Sequence, residues 1–157
     1  MTMAQEPLDN SIIHLLHRAN QSVSDIFTDQ MRGETLTPRQ FAVLTAISNN
    51  EGLNQTSLVK ETGIDRSTLA DIIQRMLKKD LISRKRTERD GRAYSVFLTP
   101  LGQQLLDEST PNVKNADERI LNAVPEESRQ EFLESLHKII STAQNIKTSE
   151  PQNSGNI

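Results

Sequence analysis

The sequence contains no cysteine, which excludes disulfides, a thiolate nucleophile, a Cys-ligated metal and redox sensing through thiols. It has four Phe, one Tyr and no Trp, so it offers little for stacking single-stranded bases on aromatic rings. Its opening residues show no basic segment followed by an apolar stretch, and no later window approaches roughly 18 consecutive apolar residues. We therefore expect a cytoplasmic protein with no membrane partner and no cofactor.

The distribution of charge is more informative than its total. The chain has 157 residues, enough for one domain or one and a half, and a formal net charge of -3. Nine basic and four acidic side chains lie between Arg66 and Arg92, so this segment is +5 and the remainder is −8. A basic segment on an acidic body indicates a local face for a polyanion. The alternative is an ordinary solvated surface of mixed charge.

Apolar spacing predicts two helices in the first third of the chain. Apolar residues recur at steps of three and four from Asp9 to Phe27, which is typical of one amphipathic helix, and this helix should end near Gly33. Thr37 and Pro38 suit the cap and the first position of a second helix, with Gln40 placed to complete a capping box.

A helix-turn-helix and a hairpin are predicted next. A short helix from Thr56 to Glu61 is followed by the turn 62–65, which contains Gly63, and by a second helix capped by Asp65. Two strand-like segments, 82–86 and 94–98, flank Asp-Gly at 90–91, a strong hairpin signal. A hairpin directly after a helix-turn-helix is a wing.

Two helices are predicted after the wing. Thr99-Pro100 begins a helix toward Asn122, which Pro111 should kink or interrupt, and the last helix begins at Pro125. The expected divisions are a dimerisation helix (1–35), a winged helix-turn-helix (36–99), dimerisation helices (100–147) and a disordered tail (148–157). Long apolar stripes on the terminal helices favour a homodimer, with an intramolecular three-helix bundle as the alternative.

Three motifs in this order resemble the MarR family of bacterial transcriptional regulators. They are the second-helix start Leu36-Thr37-Pro38-Arg39-Gln40-Phe41, the helix-turn-helix from Gln55 to Ile82, and the wing signature Asp90-Gly91-Arg92 with Leu98-Thr99-Pro100-Leu101-Gly102. The resemblance covers about residues 8–146 and implies a mostly α, winged helix-turn-helix fold with long terminal helices forming a dimerisation region. Asp80 departs from the family's usual Gly, but Asp tolerates a left-handed backbone.

The DNA-binding residues follow from this fold. The second helix of a helix-turn-helix presents its first turn to base edges in the major groove, here Arg66, Ser67 and Thr68. Arg66 can pair with guanine. Phosphate contacts are expected from Thr56, at the start of the first helix, and from Arg75 and Lys78, further along the second helix. The resemblance further implies that Arg92 enters the minor groove and Asp90 orients it. The basic wing residues Arg86 and Arg89 complete the set.

The resemblance also implies control by a small organic effector, an aromatic carboxylate or its CoA thioester, held between the helical region and the winged-helix lobe. The predicted lining residues are His14, His17, Arg18, Arg39 and Phe41. Each of them has a structural alternative, and Phe41 has the spacing of a core residue.

Other functions have less support. His14 and His17 share a helix face and could supply two ligands to Zn²⁺ in a metal-responsive regulator, but two ligands do not make a site. The sequence has no catalytic or nucleotide-binding fingerprint, so we do not expect an enzyme. A winged-helix interaction module for an acidic protein or RNA is the remaining alternative. The expected function is a homodimeric repressor that an effector releases from an inverted-repeat operator in double-stranded DNA.

Overall fold

The computed structural model describes residues 8–31, 33, 36–86 and 94–149. Within them a 3-10 turn, Leu8–Asn10, precedes six α-helices and three short strands. The elements are α1 (Ile12–Gln30), α2 (Pro38–Asn49), β1 (Leu53–Asn54), α3 (Gln55–Thr62), α4 (Arg66–Lys78), β2 (Ile82–Arg86), β3 (Tyr94–Leu98), α5 (Pro100–Leu121) and α6 (Arg129–Ser149). The predicted fold class, a mostly helical winged helix-turn-helix with long terminal helices, is confirmed.

Side-chain caps start the helices where the sequence indicates. The Thr37 hydroxyl accepts from the Gln40 N–H at 3.2 Å, and the Thr37 N–H donates to Gln40 Oε1 at 3.0 Å, which confirms the capping box. Asp65 caps α4 through a 2.9 Å bond from the Thr68 N–H. Because the entry to α2 and the entry to α4 are both fixed in this way, the directions of these two helices are well defined.

Left-handed residues end two helices. Gly63 follows α3 with φ 67°, and Asp80 follows α4 with φ 55°. Gly63 makes the sharp helix-turn-helix corner at low cost because it has no Cβ. Asp80 adopts a left-handed backbone, a conformation that Asp tolerates better than most residues.

The wing is part of a three-stranded antiparallel sheet with the order β1-β3-β2. The pairs Arg86↔Tyr94 and Arg84↔Val96 fix the register of β2 on β3, and Leu53↔Val96 fixes that of β1. β1 was not predicted from the sequence, because a two-residue strand has no periodicity. By pairing with β3, it joins the start of α3 to the wing.

The chain divides into two compact units, the first ending at Ala116 and the second beginning at Asp117. The core of the first unit is formed by α1 to α5 and the sheet. Its completely buried side chains include Val43 and Leu44 of α2, Leu58 of α3, and Leu69 and Met76 of α4. The core therefore holds α4 from behind and leaves its other side exposed.

The C-terminal helices differ from prediction in three details. Pro111 does not interrupt α5, which is continuous from Pro100 to Leu121. Proline removes one backbone donor, while the other hydrogen bonds of a long helix remain. A 3-10 turn, Glu126–Ser128, precedes α6, so α6 begins at Arg129 instead of Pro125. It also reaches Ser149, two residues into the predicted disordered tail, and the rest of that tail lies outside the described residues.

Two of the described helices, α1 and α6, each expose several large apolar side chains. On α1 they are Ile12, Ile13, Leu15, Leu16 and Val23, with Ile13 80% exposed. On α6 they are Phe132, Leu133, Ile139 and Ile140. These faces lack a partner among the described residues. In the described part of the chain, no helix has the length and apolar character that crossing a membrane requires.

Candidate nucleic-acid interface

A groove of about 350 Å³ lies where α3, α4 and the wing strands meet. It is lined by Asn54, Gln55, Thr56, Arg66, Ala70, Ile73, Gln74, Arg84, Tyr94 and Val96. Two of these side chains are arginines and none is acidic. Its charge and polar donors therefore suit a phosphate or the edge of a base.

The first turn of α3 opens into this groove. Asn54 caps the helix by accepting from the Ser57 N–H at 2.8 Å, and Thr56 is exposed in the following turn. The side-chain amide of Gln55 donates to the Arg66 carbonyl at 3.3 Å, which ties the start of α3 to the start of α4. The geometry is compatible with the predicted phosphate contact at Thr56, because helix N-termini attract anions.

The side chains in the first turn of α4 point in different directions. Arg66 projects into the groove, whereas the Ser67 hydroxyl donates to Asp65 Oδ1 at 2.8 Å. Hydrogen bonds from Thr68 and then Ser67 hold the pKa of the Asp65 carboxyl well below its usual range. Thr68 is half-buried and lines a different groove. Of the three predicted base-reading residues, Arg66 is the one directed at this site.

The wing strands carry a cationic cluster around Tyr94. Arg86 Nε donates to the Tyr94 hydroxyl at 3.2 Å, and the Arg84 guanidinium carbon lies 4.9 Å from the centre of the tyrosine ring. The bond from Arg86, with the positive charges of Arg86 and Arg84, lowers the pKa of Tyr94. The tyrosine thus orders two arginines toward the outer end of the described wing strands, on the side of the hairpin that borders the groove.

The other predicted DNA contacts are placed differently. Arg75 pairs with Asp71 at 2.9 Å and lines a second groove, while Lys78 is exposed at the end of α4. Arg89, Asp90 and Arg92 lie outside the described residues, so their predicted roles at the wing tip stay predictions.

The second groove, of about 420 Å³, lies between α1, α2 and α4. It is lined by Asn20, Ser24, Thr37, Pro38, Arg39, Gln40, Thr68, Asp71, Ile72 and Arg75. Two arginines and one carboxylate meet there beside the apolar Ile72. A carboxylate attached to a small ring matches this combination, because guanidinium groups bind carboxylates in a fork.

The predicted effector residues do not all line this groove. Arg39 does, whereas His14, His17, Arg18 and Phe41 are absent from its lining. The two histidines and Arg18 lie nearer the start of α1, and Phe41 packs against the core. Among the described residues, no group of three His, Cys, Asp or Glu side chains could hold a metal ion.

Four residues that line the first groove were not predicted from the sequence: Asn54, Gln74, Arg84 and Tyr94. Gln74 follows Arg66 by eight residues, a spacing that places both on one helix face. Arg84 and Tyr94 become diagonal neighbours only through the register of β2 on β3. Asn54 stands three residues before Ser57, the usual position of a helix cap, and this signal could have revealed it.

Comparison with known proteins identifies the family. The MarR family model matches residues 34–93. The HTH-type transcriptional repressor NicR of Pseudomonas putida is 30% identical over 151 residues, which cover 92% of this chain and 96% of that protein. The chain belongs to the MarR family. Because its relatives are transcriptional regulators and not enzymes, its role is regulatory.

Solved MarR-type structures agree with this assignment. A structure of Bordetella bronchiseptica BpsR, whose DNA binding is regulated by 6-hydroxynicotinic acid, is 26% identical, covers 87% of this chain and 98% of its own, and has a TM-score of 0.79. The transcriptional repressor CouR, bound to a 23-mer DNA duplex, is 26% identical, covers 88% and 99%, and has a TM-score of 0.78. This MarR-family protein is a DNA-binding transcriptional regulator with a winged helix-turn-helix.

Proposed function

We propose that this MarR-family regulator is a homodimeric repressor that binds an inverted-repeat operator and is released by an aromatic acid or its CoA thioester. The observation that carries the proposal is the first groove. It brings the start of α3, the exposed side of α4 and the wing strands around Arg66 and Arg84, with no acidic side chain in its lining. Recognition helix and wing can therefore contact one duplex together.

The exposed apolar faces support the dimer. Ile13 is 80% exposed on α1 and Ile140 is 54% exposed on α6, and each has large apolar neighbours on its own helix. Faces of this kind are stable in water when another surface covers them. A second copy would also supply the second recognition helix that an inverted repeat requires, with half-sites about 10 bp apart.

The second groove supports control by an acid. Arg39 and Arg75 can bind a carboxylate, and the groove is bounded by α4, the helix that also borders the DNA groove. BpsR is a structural relative whose DNA binding responds to an aromatic acid, 6-hydroxynicotinic acid. We place the effector of this chain in the second groove, with Arg39 as the predicted residue that the geometry supports best.

DNA binding can be tested by fluorescence anisotropy of the full chain. The probes are the duplex upstream of its own operon and a random duplex of equal length, both at 150 mM salt. We expect at least about 10³-fold tighter binding to the operator than to random DNA. Equal affinities would overturn the sequence-specific function and favour an interaction module.

A charge variant tests the groove itself. Arg84→Ala should reduce the slope of log affinity against log salt by about 0.9, if the arginine contacts one phosphate. Lys114→Ala removes a positive charge from the exposed surface of α5, outside the groove, and serves as the matched control. Equal slopes for Arg84→Ala and wild type would exclude the groove from the interface.

The effector can be tested by release of DNA and by thermal shift, with benzoic acid, 6-hydroxynicotinic acid and benzoyl-CoA as probes. Arg39→Gln should lose the response and keep operator affinity, whereas Arg18→Gln should keep both, because Arg18 does not line the groove. Loss of response in Arg18→Gln alone would instead move the site toward the start of α1.

The alternative function, a metal-responsive regulator, can be tested with the same full chain. Calorimetry with Zn²⁺ should show no stoichiometric binding. Stoichiometric binding that disappears in both His14→Ala and His17→Ala, together with no response to any acid, would replace the acid-responsive repressor with a metal-responsive one.

A further inference from the structure

One row of α4 side chains lines the first groove, between α3, α4 and the wing strands. Arg66, Ala70 and Gln74 follow one another at four-residue steps, and all three line the groove that α4 forms with α3 and the wing. Side chains at i and i+4 lie one above the other on a helix. Arg66 and Gln74 are exposed, and neither side chain has a hydrogen-bond partner within the described part of the chain.

The neighbouring polar residues of α4 are already engaged. The Ser67 hydroxyl donates to the Asp65 cap, and Thr68 lines the second groove. Arg75 is paired with Asp71 at 2.9 Å on that same side. Within the described residues, the long polar side chains of α4 that line the first groove without a hydrogen-bond partner are therefore Arg66 and Gln74.

We propose that Arg66, Ala70 and Gln74 form the base-reading row of α4, with Gln74 as a specificity-determining residue. The inference rests on the proposed operator binding. Arginine pairs bidentately with guanine, glutamine pairs bidentately with adenine, and a small apolar residue accommodates the methyl group of thymine. The row thus selects guanine near Arg66, adenine near Gln74, and thymine beside Ala70.

Helix geometry sets the spacing of these contacts. A rise of about 1.5 Å per residue puts Gln74 about 12 Å along the axis from Arg66. This distance corresponds to about three or four base pairs at roughly 3.4 Å each. Ala70, half-way along, lets the base edges approach the helix because its side chain is short.

The test measures the affinity of the full chain for every single-base variant of one operator half-site. Wild type should lose affinity at a guanine and at an adenine three or four base pairs apart. Gln74→Ala should remove discrimination at the adenine alone, where wild type discriminates by roughly 5- to 150-fold. Gln74→Glu should shift the preference at that position toward cytosine, whose amino group a carboxylate accepts.

Lys78→Ala is the matched control on the same helix. It removes an exposed polar side chain beyond the groove, so it should weaken binding evenly on all variants. Circular dichroism should show the same helical content in each protein, because Gln74 is exposed and supports no buried contact.

The outcomes separate the row from the function it rests on. If wild type shows no preference among sequences, the operator proposal fails. If wild type is selective but Gln74→Ala keeps the complete base preference, or weakens all variants evenly as Lys78→Ala does, the reading row is wrong. Relaxation at one base pair per half-site, with the cytosine shift in Gln74→Glu, establishes it.

Discussion

Replacement of Gly102 by alanine should destabilise the protein, although alanine is the better helix former. Gly102 lies in the first turn of α5, directly after the wing. An added Cβ would lie 1.9 Å from the Leu81 carbonyl oxygen and 2.9 Å from its carbonyl carbon. Because the obstructing atoms belong to the backbone, no change of rotamer can relieve the overlap, and the two segments must move apart.

The junction that would have to open is hydrogen-bonded. The Thr99 N–H donates to the Leu81 carbonyl at 3.1 Å, the Thr99 hydroxyl donates to the Asp80 carbonyl at 2.5 Å, and the Gly102 N–H donates to Thr99 Oγ1 at 3.0 Å. The two bonds that Thr99 donates to Leu81 and Asp80 cross the junction, and weakening both costs about 1–3 kcal/mol. Overpacking adds about 1–3 kcal/mol. The gain in helix propensity returns about 1 kcal/mol. The net expectation is a loss of about 1–5 kcal/mol.

Urea unfolding followed by circular dichroism, at one fixed protein concentration, measures this loss. In the double variant Leu81→Ala/Gly102→Ala, the loss of stability caused by Gly102→Ala should persist in full. The overlap is with the main chain of residue 81, which the substitution of its side chain does not remove. Gln104→Ala, at an exposed position in the same turn region, is the control for the alanine itself. A Gly102→Ala protein as stable as wild type, or more stable, would refute the tight approach of α5 to the Asp80–Leu81 turn.

Two further predictions concern the α4 cap and the α6 surface. Asp65→Asn should be less stable than wild type at neutral pH, because the cap bonds lower the pKa of the Asp65 carboxyl in the folded protein. The stability advantage of wild type is complete above the ordinary pKa of 3.8 and shrinks as the pH falls below it. Unfolding measured over a series of acidic pH values checks this dependence. A difference independent of pH would contradict this assignment of the pKa. Ile140→Lys should weaken the proposed dimer and raise the monomer fraction in sedimentation velocity, whereas the exposed neighbour Ser141→Lys should not. Equal monomer fractions in the two variants would exclude this part of α6 from the dimer contact.

The sequence predicts the winged helix-turn-helix because its signals are local. The Thr37 capping box, the Asp65 cap and the Gly63 turn each depend on side chains within four residues, and all three are present. The Asp80 conformation follows from the same kind of signal. Helix caps and turns can be predicted from a single sequence because the residues that form them are neighbours in the sequence.

The composition of the grooves is harder to predict because it depends on contacts between elements. The register of β2 on β3 brings Tyr94 next to Arg84 and Arg86. β1 is a strand only through its pairing with β3. Thr68 fits the pattern of a base-reading residue, yet the rotation of α4 on its core turns it toward α1 and α2. Which side of α4 faces each groove is decided by the packing of Leu69 and Met76, not by the polar residues themselves.

The two sides of α4 suggest how an acid could control DNA binding. Thr68, Asp71 and Arg75 border the second groove, while the proposed reading row borders the first. The Asp71–Arg75 pair is largely exposed, so it is weak and an incoming carboxylate can compete for the guanidinium at little cost. A ligand with equal affinity for the DNA-bound and released arrangements shifts nothing, and moving the balance from 1:99 to 99:1 needs about a 10⁴-fold difference in affinity. Because α4 contributes side chains to both grooves, such a difference in affinity requires the second groove to have a different shape when the reading row has left the operator. An effector that releases the operator as proposed must bind more weakly to the operator complex than to the free protein, and operator DNA must weaken its binding by the same factor.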